Sequence, residues 1–62
     1  MMRLLSATDV AIALASKKGT LRLVERESRF GGTFIAISDD KGVIEVQDTR
    51  ADAERRVAEC AA

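Results

Sequence analysis

The hydrophobic period changes twice along the chain, and the changes mark its elements. Between Ser6 and Gly19 apolar residues recur at helical spacing, with Val10 and Leu14 four apart and Ala7, Ala11 and Ala15 alongside. Ser6 suits the cap of this helix, because its hydroxyl can accept from the backbone N–H of Asp9 while Asp9 brings negative charge to the first turn. Leu5 and Val10 are spaced as a hydrophobic staple. Lys17 and Lys18 suit the last turn, and Gly19 the left-handed position that closes it. A helix is predicted over 7–18.

From Thr20 to Glu27 the period becomes two, with Leu21 and Leu23 on one side and Arg22, Val24 and Arg26 on the other. Ser28-Arg29-Phe30-Gly31-Gly32 reads as a hairpin loop, since consecutive glycines supply the positive φ that a reversal needs. A second strand follows over Thr33 to Ser38. Asp39-Asp40-Lys41-Gly42 has the chemistry of a type I turn closed by a glycine bulge, and Val43 to Gln47 is a third strand. Loops this short exclude a parallel crossover, so the strands form a meander. Thr49 caps a second helix with Asp52 three residues on, and Asp52 and Arg56 are spaced to pair across one turn. Ala53, Val57 and Cys60 give that helix a thin apolar stripe. The expected fold is α+β: one small domain over 1–62, a three-stranded antiparallel β-meander flanked by N- and C-terminal helices (α-β-β-β-α).

The strands carry apolar residues at both odd and even positions, which a sheet wetted on one side does not need. With Leu21 and Leu23 inward, strict alternation puts Ile35 and Ile37, then Ile44 and Val46, on the core face. The opposite face then shows Arg22, Val24 and Arg26; Phe34, Ala36 and Ser38; and Val43, Glu45 and Gln47. An apolar centre of Val24, Phe34, Ala36 and Val43 inside a charged rim is the layout of a contact surface.

Composition narrows the chemistry. Sixty-two residues bury only about 60% of the surface of the unfolded chain, so stability is expected to be marginal, and a second copy is one way to bury more. Cys60 is the single cysteine and histidine is missing, which excludes an intrachain disulfide and a Cys/His zinc site. A reducing, cytoplasmic setting is expected, and the apolar start Met1 to Leu5 is too short for a signal or membrane helix. Basic and acidic residues balance at ten each, but six of the basic ones and three of the acidic ones lie in residues 1–31. That asymmetry suits self-association or a charged partner.

Catalysis finds few candidates. Cys60 has no histidine to activate it, Asp39, Asp40, Glu45 and Asp48 lack the spacing of a calcium loop, and Gly31-Gly32 lacks the lysine and serine that follow in a phosphate loop. No cofactor, small-molecule substrate or membrane is expected, and the chain is not read as an enzyme. Lys17, Lys18, Arg22, Arg26 and Arg29 place five cations within thirteen residues, which with Phe34 nearby could serve a nucleic acid, although Glu25 and Glu27 interrupt the run.

The segment GGTFIAISDDKGVIEVQDTRADAERRVAECA resembles the strand-turn-strand-helix half of HicB-type antitoxin domains. The resemblance covers half of the chain and rests on a threonine-capped helix after a hairpin, so it transfers no functional residue. The expected function is a small non-enzymatic protein-protein interaction module, a homodimer with Phe34, Val24, Val43, Ala36, Arg22 and Arg26 in its contact surface. By analogy with antitoxins and phage-encoded inhibitors, it would regulate or inhibit a larger machine. The alternative is a nucleic-acid-binding accessory protein using the basic strand.

Overall fold

The computed structural model describes residues 6–61, with α1 (Ala7–Lys18), β1 (Arg22–Glu27), β2 (Thr33–Asp39), β3 (Gly42–Gln47) and α2 (Arg50–Ala61) in that order. The strands form one antiparallel sheet in the order β1-β2-β3, which is the α-β-β-β-α meander read from the sequence.

Local chemistry sets the boundaries. Ser6 accepts from Asp9 N at 3.1 Å and its own N–H donates to Asp9 Oδ2 at 3.0 Å, a complete capping box. At the other end Gly19 adopts φ 76°, its N–H reaches Ser16 O, and Thr20 N reaches Ala15 O at 3.0 Å. These are the paired bonds of a Schellman close. Thr49 Oγ1 accepts from Asp52 N at 3.1 Å at the start of α2. In the β2–β3 turn Lys41 N donates to Asp39 Oδ1 at 2.8 Å. Only glycines have positive φ among the described residues, so Asp40 and Lys41 are in the unprimed geometry and Gly42 carries the positive angle.

Both helices lie on one face of the sheet and pack on each other. Ile12 of α1, Ile35 and Ile37 of β2 and Ala53 of α2 make the buried cluster, with Leu21, Leu23, Ile44, Val57 and Cys60 against it. The thin dimension of the molecule, 17 Å, is that of one helical layer on one sheet. No described element covers the other face.

Two expectations require correction. On α1 the side chain driven into the core is Ile12, whereas Val10 and Leu14 are 42% and 49% exposed. The helix is alanine-rich on every side, so apolar spacing alone does not choose its inner face. The Leu5 half of the proposed staple lies outside the described residues.

On β3 the phase is the reverse of strict alternation. Ile37 lies opposite Glu45, but Ser38 lies opposite Val43, so Ile44 is an extra residue in the ladder. A bulge of this kind swaps the faces of everything beyond it. Val46 therefore turns outward, 53% exposed, and Glu45 and Gln47 turn toward the helices. Ile44 still packs against the core.

Candidate functional site

Two places combine chemistry with geometry: a polar network inside the helical layer and the uncovered sheet face. The network centres on Arg56. Its Nε donates to Glu45 Oε2 at 2.9 Å and its Nη2 to Glu45 Oε1 at 3.1 Å, the fork-on-carboxylate geometry that guanidinium favours. Its Nη1 pairs with Asp9 Oδ1 and also reaches Cys60 Sγ at 3.2 Å. Gln47 Nε2 holds Glu45 Oε2 at 2.7 Å, and Cys60 Sγ lies 3.7 Å from Asp9 Oδ1. One guanidinium thus ties β3, the first turn of α1 and the last turns of α2 together. The expected Asp52–Arg56 pair does not form; Asp52 pairs with Arg55 at 3.5 Å.

Charge states follow from these contacts. The Ser6 backbone N–H and then Arg56 hold Asp9 down at about 2, despite burial. Hydrogen bonds from Arg56 also lower Glu45, and Arg56 is raised in return, chiefly by Glu45. Burial pushes the Cys60 thiol up, so it acts as a neutral donor to Asp9 and not as a thiolate nucleophile. The network is a fully charged, hydrogen-bonded clasp. Beside it a polar depression of ≈ 200 Å³ is lined by Gln47, Asp52, Arg55, Arg56 and Glu59, smaller and more polar than the clefts that hold organic ligands. Among the described residues no group of three His, Cys, Asp or Glu side chains is placed to hold a metal ion, and no helix is long and apolar enough to cross a membrane.

The open face is built from three cross-strand rows. Arg22, Ser38 and Val43 form the first, and Val24, Ala36 and Val46 the second. Arg26 and Phe34 form the third, level with Asp48 just past the end of β3. Val43 is 56% exposed and Val24 is also exposed, while Phe34 is half-buried. Ala36 has no exposure at all, on the central strand between Val24 and Val46. It shapes the face without offering a contact. Sequence reasoning missed Val46, whose outward turn depends on the bulge.

Of the cations singled out in the sequence, Arg22 and Arg26 lie on this face, and both are exposed. Glu25 and Glu27 belong to the alternate pleat positions of β1 and point to the other side. Lys17 and Lys18 end α1, and Arg29 sits in the hairpin loop beside Phe30, itself 95% exposed. The basic run is thereby split between a helix end, a sheet face and a loop tip.

Both outer strands carry features that hinder sideways extension. Aligning β1 with a copy of itself over most of its length sets Arg22 against Arg26 or Glu25 against Glu25, and the edge of β3 is broken at Ile44. No protein-family model, curated protein or solved structure matches this chain, so the resemblance of residues 31–61 to HicB-type antitoxin domains remains one of element order alone.

Proposed function

We propose that the chain is a non-enzymatic protein-protein interaction module that works as a homodimer, joined through the sheet face opposite its helices. One observation carries this reading: both helices pack on one side, and the other side presents Val24, Phe34, Val43 and Val46 around a buried Ala36. Exposed valines gathered around an aromatic, with arginines at the border, have the composition of an interface centre and rim. A second copy suits the face because the edges resist β-pairing and the core of a chain this short is small. Regulation or inhibition of a larger assembly extends the reading by analogy only.

Sedimentation velocity tests it. The wild-type chain at tens of micromolar should sediment as a dimer, and Val46→Asp and Phe34→Asp as monomers with unchanged far-UV circular dichroism. Because Val46 is half exposed, its replacement leaves the monomer core intact. A wild-type chain that stays monomeric overturns the reading.

Nucleic-acid binding is a second reading, supported by Arg22 and Arg26 sharing a face with Phe34 while the neighbouring glutamates point away. It requires retention of a single-stranded oligonucleotide that falls steeply with salt and is abolished by Arg22→Glu with Arg26→Glu. Dimer sedimentation without any oligonucleotide separates the homodimer from this reading.

A further inference from the structure

The open face is uneven in its charge, and the unevenness selects one way for two copies to meet. Within the strands its only charged side chains are Arg22 and Arg26, both on β1. Across the sheet, just past either end of the β2–β3 ladder, lie two acids. Asp40 lies at the tip of the β2–β3 turn, past the Ser38–Val43 level of Arg22 and next to the exposed Lys41, and Asp48 follows Gln47 near the level of Arg26. All four are exposed. One border of the face is therefore basic and the opposite border carries Asp40 and Asp48, with Lys41 beside the first, and the Val24–Ala36–Val46 row lies between them.

Two sheets stacked by a two-fold axis have two simple choices. An axis running across the strands lays β1 over β1 in reverse and brings Arg22 against Arg26 of the second copy. An axis running along the strands keeps each end of the sheet over the same end and lays β1 over β3. Arg26 then meets Asp48, Arg22 meets Val43 and Asp40, and Val24 rests on Val46, each contact occurring twice by symmetry.

We infer that the homodimer is a face-to-face sandwich whose two-fold axis runs along the strands, with β1 of each copy over β3 of the other and with Arg22 and Arg26 pairing to Asp40 and Asp48. This deepens the homodimer reading and rests on it. Size gives the rim a purpose: three strands of this length cover roughly 300 Å² in projection on each copy, which is less than a stable interface buries without further contacts. The four rim pairs then supply orientation and part of the affinity.

A charge exchange tests the arrangement, with sedimentation equilibrium as readout. Arg22→Glu/Arg26→Glu and Asp40→Lys/Asp48→Lys, each alone, should weaken self-association by about tenfold or more, since every rim pair becomes a repulsion. An equimolar mixture of the two variants should form a heterodimer of near wild-type affinity, and the fourfold exchange should restore the homodimer. Circular dichroism confirms that each variant is folded, and the mixture serves as an internal control. Should Arg26→Glu alone tighten the dimer, the axis runs across the strands and the arrangement is overturned. A dimer indifferent to all these changes, yet broken by Val46→Asp, overturns the pairing but leaves the homodimer reading standing. If the wild-type chain is monomeric, that reading fails first.

Discussion

Arg56 on α2 grips Glu45 on β3 through two nitrogens, at 2.9 and 3.1 Å, while its third reaches Asp9 on α1. The guanidinium is the shared partner of two carboxylates in the half-buried layer between helices and sheet, with its side chain 17% exposed. Removing it takes from both acids the guanidinium that they share. Arg56→Ala is expected to destabilise the chain by about 2–3 kcal/mol, somewhat less than a fully buried pair because water retains some access. Arg56→Lys keeps the charge but loses the fork, and about 1 kcal/mol is expected. Urea denaturation followed by circular dichroism measures both, and equal losses for the two substitutions would show that planar geometry is irrelevant.

The same clasp sets the response to acid. Asp9 stands at about 2 in the folded chain against an ordinary 3.8, and Glu45 is also lowered. A depressed carboxylate contributes stability that is fully present above its unfolded value and is lost as pH falls through the folded one. Melting temperature should therefore hold above about pH 5 and fall between about pH 4 and 2. Arg56 and the Cys60 thiol beside Asp9 keep their protons through that window, and Glu45, which shares Arg56 and is lowered too, contributes to the same acid loss. Asp9→Asn should be less stable at neutral pH and lose less on acidification; a variant with the wild-type acid slope would assign the effect elsewhere.

Core and surface of α1 should separate sharply. Ile12 has no exposure and touches both the sheet and α2, so Ile12→Ala is expected to cost about 2–4 kcal/mol, enough to unfold much of a small domain. Val10→Ala and Leu14→Ala, at half-exposed positions, should each cost under about 1 kcal/mol. Chemical denaturation of the three variants checks the assigned inner face. A costly Leu14→Ala would reverse it.

Gly19 closes α1 at φ 76°, with open space where a Cβ would stand. Any penalty for Gly19→Ala thus comes from the left-handed backbone and not from a clash, and about 1 kcal/mol is expected. A neutral result in thermal melts would show that the helix end refolds around alanine at no cost.

How far these relationships can be read from the residues depends on their range. The caps at Ser6 and Thr49, the close at Gly19 and both turns are local bargains between neighbours, and spacing exposes them. Ile44 is different: whether a strand takes one extra residue is settled by what packs above it, here the choice of sending Glu45 toward Arg56. A charged residue between two apolar ones in a strand was the available hint, since a glutamate turned inward demands a cation. The partner Asp9 lies far away in sequence, so no spacing rule reaches it. Choosing Ile12 over Val10 and Leu14 was likewise a matter of which side of an alanine-rich cylinder the sheet occupies. Phe34 and Val24 were placed on the outer face by alternation alone, because β1 and β2 run without a bulge.

The guarded borders of the sheet also decide how large any assembly can grow. With like charges hindering β1 against itself and β3 interrupted at Ile44, lateral addition of a copy is disfavoured, and a single sticky side is used up by the first encounter. Such a molecule saturates as a pair, so concentrating it should yield a bounded particle and not a fibril.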